Sequence, residues 1–242
     1  MRTNRGSRVY SRYETAESYD ATRFSSDAGI LLDSIERNIV AELAPRTSKE
    51  YPIADIGAGT GRFAMGMMRL GFRVLASDAS LAMLLTTRRR LQRETPNRLD
   101  LARGDIYNLP MKSDSFPYVV CIHVLNQLGH IEDQVEAIRE LIRVCAPGGR
   151  VVFDVYNRTS LAMLAPSPKA GLVSLPILER RLAEMEDVSI DQVVGRFLIP
   201  FTAFRLTPAP FHGGLDNLDR VASTKATRFV TKAYYCLAKG KT

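Results

Sequence analysis

The stretch that most constrains this chain is Asp55-Ile56-Gly57-Ala58-Gly59-Thr60-Gly61-Arg62-Phe63, preceded by a short apolar run from Pro52. An apolar run that meets three glycines at alternate positions and then a helical pattern is a strand turned sharply into a helix. Glycine suits a backbone that must take φ > 0 or lie directly against a ligand. The unpaired N–H groups of the following helix make such a turn an anion-binding end. Open α/β sheets bind ligands at the carboxyl ends of their strands, so the stretch predicts a nucleotide-like site there. A dinucleotide fingerprint, G-x-G-x-x-G, would need glycine at position 62, where Arg62 stands. A tight turn with no ligand is the plainer alternative.

The chain beyond the loop alternates strands and helices. A helix from Arg62 to Leu70 is expected to stop at Gly71, and Phe72 to Ser77 reads as a second strand ending at Asp78. An acid at that strand end can accept from both ribose hydroxyls of a nucleoside, or cap the helix beginning near Leu81 together with Ser80. Leu99 to Arg103 is a third strand, running into Gly104-Asp105-Ile106-Tyr107-Asn108-Leu109-Pro110. A fourth strand, Tyr118 to His123, leads to Val124-Leu125-Asn126-Gln127-Leu128-Gly129-His130. Ile131 to Cys145 is amphipathic and meets Ala146-Pro147-Gly148-Gly149 before a fifth strand, Arg150 to Val155. Ahead of the loop, Asp27 to Leu43 reads as a helix. After position 156 the spacing predicts a helix from Pro176 to Glu186, a strand from Val193 to Phe201, a Pro/Gly-rich loop from Thr207 to Gly214 with a short helix, and a last strand from Arg228 to Ala238.

Together these motifs resemble the class I S-adenosylmethionine-dependent methyltransferases, of the kind acting in ubiquinone and menaquinone biosynthesis, over roughly residues 51 to 155. The acid-led G-x-G-x-G matches that family's first motif, Gly104-Asp105 with Leu109-Pro110 its "GD…LP" motif, and Ala146-Pro147-Gly148-Gly149 its "PGG" signature. Tyr19-Asp20-Ala21-Thr22-Arg23-Phe24 is similar to the family's "YD…RF" lead-in. The resemblance implies an α/β, Rossmann-like fold: a seven-stranded, mostly parallel sheet with an antiparallel last strand and helices on both faces. It implies S-adenosyl-L-methionine as cofactor and S-adenosyl-L-homocysteine as product. The cofactor-binding residues carried over are Asp55, Gly57, Ala58, Gly59, Gly61, Asp78, Ala79, Asp105, Ile106 and His123. Asp78 would hold the ribose, Asp105 would accept from the adenine amino group or serve only as a turn residue, and Ile106 would lie against the ring. Tyr19 and Arg23 would close over the cofactor, or simply pack a helix on the core.

Asn126 and Gln127 are the expected substrate-binding residues, and they stand where relatives often carry histidines or a glutamate. Amides can orient an acceptor but cannot remove its proton at neutral pH. If a base is used, His123 and His130 are the candidates, although His130 reads equally as the residue just before a helix. Pro117 replaces an acid frequent in relatives and alters the start of the fourth strand. No His/acid cluster has metal-ligand spacing, so no metal is expected.

At 242 residues the chain accommodates one methyltransferase domain: 1–45 as lid and helix, 51–156 as cofactor-binding core, 157–190 as a substrate-side insertion and 191–242 as C-terminal strands. No apolar run approaches the roughly 18 residues of a membrane span. Three separated cysteines suit a reducing compartment, and a cytoplasmic protein, monomer or homodimer, is expected. The net charge of +7 raises the question of nucleic acid. The densest basic cluster, Arg88-Arg89-Arg90 with Arg93, falls late in a helix and lacks interleaved aromatics for base stacking. A small-molecule methyl acceptor is therefore preferred. An RNA- or protein-modifying methyltransferase and a non-catalytic S-adenosylmethionine-binding scaffold are the alternatives.

Overall fold

The computed structural model describes residues 19–20, 24–45, 49–92, 97–160 and 171–241. Helix α1 (Asp27–Glu42) starts at Ser26, whose hydroxyl accepts from the Gly29 N–H at 3.2 Å, a side-chain N-cap. Strand β1 (Ile53–Ile56) is buried throughout. It pairs in parallel with β2 (Val74–Asp78) on one side and β4 (Phe116–Cys121) on the other. A strand covered on both faces has to be apolar continuously, which is why Ile53-Ala54 and Ile56 show no alternation. Helix α2 (Arg62–Arg69) joins β1 to β2, and α3 (Leu81–Leu91) joins β2 to the edge strand β3 (Leu99–Arg103).

After β4 a short 3₁₀ turn (Leu125–Gln127) precedes α4 (Ile131–Val144) and β5 (Cys145–Asn157). A two-residue strand β6 (Leu172–Val173), α5 (Leu175–Ala183), β7 (Val188–Arg196), α6 (Phe201–Leu206), α7 (His212–Lys225) and β8 (Lys232–Lys239) complete the described chain. The sheet runs β3-β2-β1-β4-β5-β8-β7, with β6 attached to β5 off this path. β8 lies antiparallel to both neighbours, so the mostly parallel sheet with an antiparallel last strand is what forms. Strand order reverses between β1 and β4, which puts the crevice expected for ligands at their carboxyl ends.

Two apolar layers flank the sheet. Val119, Cys121, Val151 and Phe153 belong to one with α4 and α5; Ile53, Tyr118, Val120, Val152 and Tyr234 belong to the other with α1, α2 and α6. Tyr118 is wholly buried and donates its hydroxyl to the Val40 carbonyl at 2.6 Å, tying α1 to the sheet centre. Among the described residues no helix is long and apolar enough to cross a membrane.

Several expected boundaries moved. The strand expected from Val193 to Phe201 is β7, five residues earlier. Its first half, Ser189 to Gln192, is exposed at the sheet edge and carries little apolar signal. Phe197 takes φ +62°, which ends the strand, and Phe201 already begins α6. The loop expected as far as Gly214 gives way to α7 at His212, whose Nε2 lies 2.9 Å from both the Phe204 and Thr207 carbonyls. The last strand starts at Lys232; Arg228 lies in a 3₁₀ turn before it. The helix expected from Pro176 to Glu186 spans Leu175–Ala183. Pro117 sits inside β4, where the register with β5 shifts between Phe116↔Cys145 and Tyr118↔Arg150. A residue without an N–H is tolerated at such an irregularity.

Candidate cofactor and acceptor site

The three loop glycines all take positive φ: +71° at Gly57, +56° at Gly59 and +80° at Gly61. Their surroundings differ. A Cβ at Gly57 would stand 2.1 Å from Val124 Cγ2, and one at Gly61 would stand 2.8 Å from Thr87 Cγ2. A Cβ at Gly59 would meet nothing closer than the Gly57 carbonyl at 4.0 Å. Gly57 and Gly61 are thus packing positions, whereas Gly59 leaves an open face above the loop. The Gly57 and Ala58 N–H groups both donate to the Ser77 carbonyl, at 2.7 and 2.9 Å, which holds the loop against the end of β2.

Asp55 ends inside the loop's curve and accepts from the Ala64 N–H at 2.9 Å, serving the first turn of α2. Burial raises its pKa to about 7; the Ala64 bond and Arg62 oppose the rise while Asp78 adds to it. Asp78 accepts from the Gly59 N–H at 2.9 Å through one oxygen and from the Ser80 N–H at 2.8 Å through the other. Burial raises its pKa too. Each carboxylate oxygen has a second lone pair, so both can accept a further hydroxyl donor. Ala79 directs its carbonyl to Arg103 Nε at 3.1 Å. Ser80, not Asp78, is the N-cap of α3, accepting from the Met83 N–H at 3.2 Å.

Asp105 stands half-buried after β3, and one of its oxygens accepts from the Tyr107 N–H at 3.2 Å in its own turn. Ile106 is buried. Tyr19 packs on Ala82 and Met83 at the start of α3, next to Asp78 and Ala79. Beside it Asp20 accepts from the Thr60 hydroxyl at 2.8 Å and pairs with Arg90. This joins the lead-in segment both to the glycine loop and to the arginine cluster. Arg23 and Arg93 lie outside the described residues.

His123 follows β4 with φ +65°. Its N–H donates to Asp154 Oδ1 at 2.6 Å, and its carbonyl accepts from the Gln127 side-chain amide at 2.6 Å. Gln127 therefore braces the turn at His123. Asn126 is half-buried, with a shielded Oδ1 that has no hydrogen-bond partner among the described residues. His130 is exposed and forms the N-cap of α4 in a reciprocal capping box with Asp133, which matches the helix-start alternative.

Beneath His123 lies a cluster the sequence did not announce. Glu36 on α1 is fully buried and bonds His123 Nε2 at 2.8 Å, Arg62 at 3.0 Å, Lys232 Nζ at 2.5 Å and the Tyr234 hydroxyl at 3.2 Å. Lys232 also pairs with Asp154 Oδ2 at 2.7 Å, and Arg62 pairs with Asp33. Burial pushes the Glu36 carboxyl up, but His123, Lys232 and Arg62 overcome it and hold the group well below the usual range. Burial pushes Lys232 down, and Asp154 and Glu36 more than reverse it. For His123 burial wins: its pKa is lowered although Glu36 opposes that. The members come from α1, α2, the end of β4, β5 and β8, so only the folded sheet brings them together.

The open face at Gly59 beside the Asp78 carboxylate fits the ribose and amino-acid ends of an adenosyl cofactor. Residues 54–153 match the methyltransferase domain family. More particularly, the chain is 33% identical over 149 residues to a demethylmenaquinone methyltransferase of Streptomyces avermitilis, covering 62% of this chain and 60% of that protein. The match thus spans under two thirds of that relative's length. Among solved structures, magnesium protoporphyrin IX methyltransferase from Synechocystis PCC 6803 with bound SAH superposes with TM-score 0.61 at 17% identity, covering 88% of this chain and 86% of that one. The [4+2]-cyclase SpnF superposes with TM-score 0.62 at 17% identity over 87% of this chain and 81% of that one. At such identities the likeness is one of fold.

Proposed function

We propose that the protein transfers the methyl group of S-adenosylmethionine to a small-molecule acceptor. The open face at Gly59, bounded by the doubly held Asp78 carboxylate at the β1–β2 strand ends, carries this reading. The bound cofactor would supply an electrophilic methyl group, so the protein's part is placement. Gly59, Asp78 and Ala79 would hold the ribose side, Asp105 and Ile106 the base, and Tyr19 would cover the site from the lead-in segment. His123 and Asn126 would face the acceptor, with Gln127 setting the turn that presents them. Holding two reactants in near-attack geometry is worth roughly 7–11 kcal/mol.

The quinone-type acceptor named for the Streptomyces relative supports a small molecule here, in a cytoplasmic protein. Arg90 is tied to Asp20, which draws part of the arginine cluster into the cofactor side of the fold. Calorimetry tests the reading: S-adenosylmethionine is expected to bind in the micromolar range, about −8 kcal/mol. Asp78→Ala should weaken that binding at least tenfold, about 1.4 kcal/mol. Tight binding of NAD with no response to S-adenosylmethionine would overturn it.

A further inference from the structure

The Glu36–His123 contact fixes which ring nitrogen carries the proton. Glu36 is held ionised by His123, Lys232 and Arg62, so the nitrogen 2.8 Å from its Oε2 must be a donor. The neutral ring therefore carries its proton on Nε2. The opposite tautomer would set two acceptors against each other across that contact and leave a shielded N–H with no acceptor. Nδ1, in turn, is shielded from solvent and has no hydrogen-bond partner among the described residues, while the His123 side chain as a whole is 11% exposed. A buried acceptor atom left open beside the glycine loop is a group that lacks its donor. Val124, the next residue, lies against Gly57, which fixes His123 to the loop side of β4.

We propose that Glu36 is a positioning residue that locks His123 as the Nε2–H tautomer, so that bare Nδ1 receives the proton of a hydroxyl-bearing methyl acceptor. This rests on the methyltransferase reading above and names the acceptor's chemical class. In the step, the acceptor's O–H bond breaks and its electron pair stays on oxygen, which becomes the nucleophile. The proton passes to Nδ1, and the resulting imidazolium is held through Nε2–H by Glu36. Among the described residues, the charged or titratable groups around the ring are Glu36 from α1, Arg62 from α2 beyond it, Asp154 from β5 on the backbone N–H, and Lys232 and Tyr234 from β8. Lys232 Nζ stands 3.4 Å from Nε2. Its charge disfavours the imidazolium, whereas Glu36 favours it.

The chain has three histidines, so imidazole ¹⁵N spectra are readily assigned with a His123→Asn control. In the cofactor-free protein at pH 7, His123 is expected to show a protonated Nε2 and an unprotonated Nδ1. In Glu36→Gln the His123 titration midpoint should fall by about one pH unit, a tenfold change in its proton affinity, and Glu36→Asp should restore part of that loss. Adding 1-naphthol as a hydroxyl donor to protein saturated with S-adenosylhomocysteine should shift Nδ1 and leave Nε2 in place. An Nδ1–H tautomer, an unmoved midpoint in a folded Glu36→Gln protein, or an Nδ1 blind to millimolar 1-naphthol would each overturn the proposal. Because tautomer and midpoint are read without cofactor, their failure is distinct from a failure to bind S-adenosylhomocysteine.

Discussion

The glycines of the loop separate two demands that the sequence shows as one motif. At Gly57 an added Cβ would collide with Val124 Cγ2 at 2.1 Å, and φ is already +71°. Gly57→Ala should therefore destabilise the protein by more than the roughly 1–3 kcal/mol of the backbone strain alone. Gly59→Ala has open space and should show only the strain, yet weaken S-adenosylmethionine binding by filling the face the cofactor needs. Urea denaturation and calorimetry on both variants check this, and equal stability losses would mean the Val124 contact is relieved by small shifts. The loop, Asp78 and Asp105 were legible in the sequence because their signal is local: glycine spacing and an acid at a strand end. Glu36 and Lys232 were not, since they meet across 196 positions and an acid in an amphipathic helix looks like any solvated one. The signal available was weak: a glutamate on the apolar side of α1, one residue after Ile35, and a lysine opening an otherwise apolar strand.

At the scale of elements, the lead-in segment and α3 act together. Asp20 joins the Thr60 hydroxyl of the loop to Arg90 of α3, and Tyr19 lies on Ala82 and Met83. The segment is thus seated on the very loop that would hold the cofactor. Hydrogen exchange should show residues 19–20 and 24 and the start of α3 gaining protection when S-adenosylhomocysteine is added. Asp20→Ala should remove most of that gain with little change in global stability, because an ion pair at this exposure contributes at most about 1 kcal/mol. Protection that is the same with and without ligand would leave the segment as ordinary packing. Helices α1 and α4 fell within a residue of their expected bounds because their apolar stripes and caps agree. β7 did not, because an edge strand exposed on its first half has no period to read, and the apolar run beyond it belongs to a turn and α6.

At the scale of the whole molecule, the alternating elements gave a parallel α/β sheet, and the antiparallel last strand came only from the family resemblance. What no local pattern conveys is the electrostatic cost of closing the sheet over its acids. Two of them act in opposite senses on stability. Glu36 has a folded pKa below its unfolded value of 4.5, so its contribution is present above that pH and is lost as pH falls further. Asp55 is pushed up from 3.8 to about 7, so its contribution is complete below pH 3.8 and is lost as pH rises through 7. His123, lowered from 6.5, works against Asp55, since its contribution grows as pH rises towards 6.5. The raised Asp78 acts in the same sense as Asp55. A single stability curve mixes all four, but the difference between wild type and Asp55→Asn isolates one. Asparagine keeps an acceptor for the Ala64 N–H and cannot ionise. Relative to wild type, Asp55→Asn should gain little stability at pH 4 and progressively more up to about pH 7. The total gain should be about 4 kcal/mol, three units at 1.36 kcal/mol each, and it should stay level above that pH. Chemical denaturation of the cofactor-free protein at several pH values measures this directly. A difference that is flat with pH, or that grows towards acid, would mean Asp55 is ionised in the fold and that Arg62 and the Ala64 N–H outweigh its burial.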